Sequence, residues 1–151
     1  MSATRKVHIG DESILGAAYC AASYYVDGPA GRFVLRIGAN IADVDRLAAA
    51  HEVNAWAYIT AYNPGSVATP RERNEARQQE LEHAVAEAKY RFSRGESQAD
   101  DGAWEAEPSL LIFGIGEPEA AMLGRRFQQA AIVYGERGGP ARLVWTYGES
   151  S

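Results

Sequence analysis

Apolar positions along the chain switch between a spacing of about 3.6 residues and a spacing of two, and the switches outline the elements. Residues 12–23 read as a helix of small residues, followed by a short strand over 24–26 and a turn at Asp27-Gly28-Pro29. Residues 33–37 form a second short strand, closed by Gly38. Asn40 stands where a helix cap belongs, and Val44, Leu47, Ala48 and His51 then recur at helical spacing. Residues 55–61 return to a strand that sends Trp56, Tyr58 and Thr60 to one face, where core packing of the rings is expected. Thr69-Pro70-Arg71-Glu72 predicts a sharp helix start: Thr69 as cap, Pro70 at the first helical position and Glu72 closing a capping box. That helix runs to about residue 88.

A strand is expected at 90–92, then a long polar loop over 93–107, with Trp104 near its end as an anchor or a cover for a ligand. Residues 109–113 make the clearest strand. Gly116-Glu117-Pro118 opens another helix, with Ala120, Leu123 and Phe127 on one face. Two last strands, 131–134 and 142–146, flank the turn Gly138-Gly139-Pro140. Alternating strands and helices that end in a hairpin predict a single α/β domain over 1–151, a mixed β-sheet covered by about four helices.

Composition narrows function more than fold. With 151 residues, 46% apolar and 23% charged, the chain is ordinarily globular and long enough to bury a core without a disulfide or metal. The net charge of −5 gives it no general attraction for phosphate backbones, and Glu72, Glu75 and Glu80 offset the one basic patch, Arg71, Arg73 and Arg77. Nucleic acid is therefore not an expected partner. The single cysteine, Cys20, excludes an internal disulfide and a thiolate zinc cluster, and His8, His51 and His83 lack the spacing of a metal site. Arg5, Lys6 and His8 ahead of the apolar run 14–22 imitate a leader, but Asp11 and Glu12 interrupt it. A cytoplasmic protein with no membrane span and no cofactor is the expectation. Gly114-Ile115-Gly116 begins like a dinucleotide fingerprint, yet Glu117 and Glu119 fall where pyrophosphate and the third glycine belong.

The stretch 60–70, TAYNPGSVATP, carries the candidate chemistry. It joins a strand to a helix, a place where α/β sheets bind ligands, and brings Thr60, Asn63 and Ser66 together. At 100° per residue Asn74 and Arg77 continue the stripe of Leu81, Val85 and Ala88 toward this loop. Arg77 is either an anion clamp or structural glue for loop carbonyls, with Glu107 as a further pairing partner.

These residues are also where the chain resembles a bacterial domain-of-unknown-function family, number 3293 in that series. The resemblance spans roughly residues 19–144. It rests on Phe33-Val34-Leu35-Arg36-Ile37-Gly38, Thr60-Ala61-Tyr62-Asn63-Pro64 with Ser66, then Asn74, Arg77 and Leu81. Glu107-Pro108-Ser109, Gly114-Ile115, Ala120, Leu123 and Phe127 extend it. After Phe127 the family pattern reads Gly-Gln-Asn-Ala, whereas this chain has Gln128-Gln129-Ala130-Ala131. The resemblance implies no activity, but it adds Glu107, Ser109 and Gln129 to the candidate cluster.

Two readings follow. In one, the cluster binds a small anionic ligand, a carboxylate or phosphate: Arg77 fixes the anion, Asn63 and Asn74 orient it, and Ser66 completes the hydrogen bonds. An enzymatic version would use Glu107 for acid–base work. In the other, the cluster is scaffolding inside a non-catalytic interaction or regulatory module, for instance a homodimer through the sheet edge 142–147.

Overall fold

The computed structural model describes residues 9–102 and 104–146, with side chains from residue 14 onward. The elements are α1 (Ile9–Cys20), β1 (Ala22–Gly28), β2 (Gly31–Leu35), α2 (Ala42–Ala50), β3 (Ala55–Ile59), α3 (Arg71–Glu87), β4 (Arg91–Ala99), β5 (Glu107–Phe113), α4 (Glu117–Arg126), β6 (Ala131–Glu136) and β7 (Arg142–Trp145). They form one α/β domain in which four helices attend a single seven-stranded sheet, in the order β2-β1-β4-β5-β3-β6-β7. Arg5, Lys6, His8 and Tyr147, which the leader and sheet-edge readings use, lie outside the described residues.

All six ladders are antiparallel. The expected strand-helix-strand unit does form, since β2 and β3 run the same way on either side of α2, but three strands separate them. Parallel pairing is confined to a bridge between Ile37 and Ala141. There the Gly38 amide donates to the Ala141 carbonyl (2.7 Å) and the Ala141 amide donates to the Ala39 carbonyl (2.9 Å). The bridge ties the continuation of β2 to the start of β7, the two edges of the sheet. Accumulated strand twist has thus curled the sheet into a half-barrel whose edges meet at one end.

Side-chain alternation divides the core in two. Tyr24, Trp56, Tyr58, Leu111, Phe113 and Val133 fill the concave face, where Val44 and Leu47 of α2 join them. Ala57, Ile59, Leu110, Ile112, Ile132 and Tyr134 cover the convex face, beneath Leu81 and Val85 of α3 and Ala120 of α4. Each large apolar side chain so buried contributes about 1.5–3 kcal/mol. His51, at the end of α2, stacks on Phe113 with ring centres 4.2 Å apart, as its apolar face predicts.

Both expected helix caps are corrected. Ile41, not Asn40, is the residue before α2, and the Asn40 side chain donates instead to the Gly138 carbonyl. Pro70 precedes α3, and the Thr69 hydroxyl donates to the Val67 carbonyl rather than closing a box with Glu72. In each case a loop contact captures the polar group.

The loop expected over 93–107 is also corrected, because residues 93–99 belong to β4, an interior strand paired with β1 and β5. Its inward positions are Ser93, Gly95, Ser97 and Ala99, so it lacks the apolar alternation that announces a strand. Close packing demands the glycine among them. A Cβ on Gly95 would stand 1.9 Å from the Tyr25 carbonyl oxygen, inside the β1 backbone. Gly95→Ala is therefore expected to cost at least about 1–3 kcal/mol by urea unfolding, whereas Met122→Ala on an exposed face of α4 stays within about 0.5 kcal/mol.

Candidate functional site

The site begins where a ladder stops. The β3–β5 register reaches Ile59 opposite Leu110, and beyond it stands Pro108, which has no amide to offer. The Thr60 hydroxyl donates to the Pro108 carbonyl (2.6 Å) and accepts from the Tyr62 amide (3.1 Å). Ala61, wholly buried, has lost its strand partners, and α3 supplies replacements. The Ala61 amide donates to Gln78 Oε1 (2.9 Å), and Arg77 Nε donates to the Ala61 carbonyl (3.4 Å). A second Arg77 nitrogen donates to the Phe127 carbonyl (2.8 Å), and its guanidinium lies over the Phe127 ring.

Asn63 organises the loop that follows. Its backbone is left-handed (φ 48°), a conformation asparagine tolerates better than most residues. Its Oδ1 accepts from the Thr69 amide and from Asn74 Nδ2, both at 3.0 Å. The backbone amide that donates to Oδ1 fixes the orientation of the carboxamide. Nδ2 therefore faces the other way and donates to Glu107 Oε2 (2.8 Å). Asn74, itself buried, accepts from the Asn63 amide (2.8 Å) and donates to the Thr69 carbonyl (3.0 Å).

On the concave side of this loop lies a cavity of about 360 Å³. Leu15, Ala18 and Tyr19 of α1 roof it; Tyr24, Tyr58, Ser97, Glu107, Ser109 and Val133 come from the strands, and Tyr62, Asn63, Ser66, Trp104 and Gln129 from the connections. The small inward side chains of β4 help make this space, since Ser97 stands opposite Tyr24 in the ladder. The Tyr24 and Tyr58 rings meet edge to face at 5.5 Å, and their hydroxyls donate to the Tyr19 and Tyr25 carbonyls. Trp104 Nε1 is buried with no acceptor among the described residues.

Glu107 is the one charged group among the described lining residues, and no Lys, Arg or His among the described residues pairs with it. Burial raises its carboxyl above the usual 4.5, and the Asn63 amide opposes that rise only in part. Burial likewise raises the phenols of Tyr19, Tyr24 and Tyr62, and the Glu107 charge adds to the effect on all three. A carboxylate and three neutral phenols thus share one electrostatic environment.

Of the residues anticipated from sequence, Thr60, Asn63, Ser66, Glu107, Ser109 and Gln129 line the cavity. Asn74 and Arg77 do not. They hold the loop from behind, and the Arg77 donors are turned to main-chain carbonyls rather than to the cavity. The Gly114–Pro118 segment, the other strand-to-helix junction, lies at the opposite end of the sheet because β5 runs against β3. Ala130 does not line the cavity either; its carbonyl accepts from the Thr146 amide. Gln128, where the sequence resemblance expects glycine, takes a left-handed backbone (φ 60°), a conformation that glycine adopts without steric cost. Sequence reasoning missed Tyr19, Tyr24, Ser97 and Gln78. Its only signal for the first two was the aromatic-rich run at 19–25.

Residues 59–132 match the model of a family described as protein of unknown function (DUF3293), a narrower span than the 19–144 of the sequence resemblance. The matched segment holds the loop, α3, β4, β5 and α4, hence the whole Asn63–Glu107 arrangement. No curated protein and no solved structure matches the chain. Among the described residues no helix is long and apolar enough to cross a membrane.

Two outcomes test this geometry. Asn63→Asp keeps the acceptors for Thr69 and Asn74 but turns a carboxylate oxygen toward Glu107. It should cost about 1–3 kcal/mol in urea unfolding, and less at pH 4 than at pH 7 because a proton then separates the two carboxyls. Glu107→Gln keeps an acceptor for Asn63 and removes the charge. The raised carboxyl binds its proton more tightly folded than unfolded, so its contribution is complete below the unfolded value near 4.5 and is lost as pH rises through the folded value. Wild type should therefore lose stability relative to Glu107→Gln over that interval and run parallel to it at higher pH.

Proposed function

We propose that this DUF3293-family chain is a small-molecule-binding protein whose ligand occupies the half-barrel cavity beside the Asn63 loop. The carrying observation is Glu107: a partly buried carboxylate with one neutral donor and no counter-ion among the described residues, lining a cavity of a size that suits small ligands. A carboxyl that served only the fold would gain by being paired or replaced, since burying charge uncompensated is costly. Apolar and aromatic side chains would receive the body of the ligand. Hydroxyls and amides of Ser97, Ser109 and Gln129 would fix its orientation.

The described lining favours a ligand with hydrogen-bond donors over the carboxylate or phosphate expected from sequence. The cation meant to clamp an anion, Arg77, is spent on the Ala61 and Phe127 carbonyls. The scaffolding reading is supported for Asn74 and Arg77 alone.

The test is a thermal-shift screen of small polar and aromatic compounds against wild type, Arg77→Ala and Ala18→Trp, the last placing a bulky ring under the cavity roof. A ligand at a hundred times its Kd stabilises by about 2.7 kcal/mol. Compounds that shift wild type should shift Arg77→Ala, from a lower starting point, by a similar amount and Ala18→Trp by little. Hits that shift Ala18→Trp as strongly as wild type would place binding elsewhere and end this reading.

A further inference from the structure

The charge pattern of the cavity narrows its ligand further. Glu107 is fixed from one side, where Asn63 Nδ2 donates to Oε2, while Oε1 has no partner among the described residues. Aromatic residues from three separate parts of the chain line the same cavity as the carboxylate: Tyr19 on α1, Tyr24 on β1 and Tyr62 at the head of the loop. The charge of Glu107 acts on all three phenols, and none of them offers it a counter-charge. Rings carry negative potential on their faces, and rings beside a carboxylate recognise cations whose charge is spread over carbon. A lone carboxylate supplies too few oxygens for calcium or magnesium, and among the described residues no three His, Cys, Asp or Glu are grouped to hold a metal ion.

Resting on the cavity reading above, we infer that the ligand is an organic ammonium, seated with its cationic centre against Glu107 and among the rings of Tyr19, Tyr24 and Tyr62. The carboxylate then gains a counter-charge that no described residue gives it, and the ammonium exchanges water for aromatic surface. Because a bound cation favours ionised Glu107, a ligand with a permanent charge binds more tightly as pH rises through the carboxyl's titration. The phenols of Tyr19, Tyr24 and Tyr62, on which the carboxylate acts, are raised by burial and stay neutral over that range, and the charges of Glu75 and Arg71, which also act on Tyr62, oppose each other.

The experiment titrates the full chain with tetramethylammonium, choline and 3,3-dimethylbutan-1-ol, the last a neutral isostere of choline, and follows amide resonances of residues 58–66 and 104–109. Choline should bind at least tenfold more tightly than the isostere, and Glu107→Gln should abolish that difference while leaving the isostere's affinity unchanged. If the isostere or a small carboxylate binds the cavity as well as choline, the ammonium inference is overturned and the cavity reading stands. If ammonium compounds move none of these resonances while other hits of the screen do, the inference again fails alone. If neither these probes nor any screen hit moves them, both fail together.

Discussion

A single side-chain amide sets the geometry of this molecule's open end. Asn63 Oδ1 is committed to the Thr69 amide and to Asn74, so Nδ2 has one direction left, and Glu107 lies along it. The loop path, the entry of α3 and the position of the buried carboxylate are thereby coupled. Neither aspartate nor a smaller residue reproduces this, because the group must accept on one side and donate on the other. The left-handed backbone at the same residue narrows the choice again.

Behind that amide, α3 compensates for an interrupted sheet. Pro108 ends the β3–β5 ladder, and Gln78 and Arg77 take up the main-chain groups of Ala61 that the ladder abandons. In front of it the opposite policy holds, for Glu107 has no counter-ion among the described residues. Proteins retain such groups where another requirement outweighs stability. The contrast between a fully served loop interior and an underserved carboxylate separates scaffold from site more sharply than residue type does.

The local pattern made much of this legible and hid the rest for identifiable reasons. Thr60, Asn63 and Ser66 stand within one loop, and Asn74 follows at helical spacing, so their meeting is encoded nearby. Glu107 reaches them only through the antiparallel β3–β5 pairing, and its relation to Asn63 was not readable in advance. β4 escaped notice because cavity-forming strands need small inward residues, and Ser93, Gly95 and Ser97 mimic a loop. Arg77 stayed open between an anion clamp and glue for loop carbonyls, because the meeting of its donors with the carbonyls of Ala61 and Phe127 depends on contacts distant in sequence. Helix caps failed for a related reason: Asn40 and Thr69 found partners in loops that sequence does not place.

The meeting of the sheet edges at Ile37 and Ala141 bears on how the chain reaches this state. Residues 104 positions apart, Ile37 and Ala141, must find each other before the curl is complete, and the β1–β4 seam joins Ala22 to Ala99, 77 positions apart. Little of the concave face can form from neighbouring segments alone. Loop-closure entropy is spent before the interior rewards it, which places folding toward the slow, millisecond-to-second end of the range for small domains. Until the seam closes, the aromatic lining is open to water and to other chains, so the geometry that encloses the cavity also makes it the last surface to be protected during synthesis.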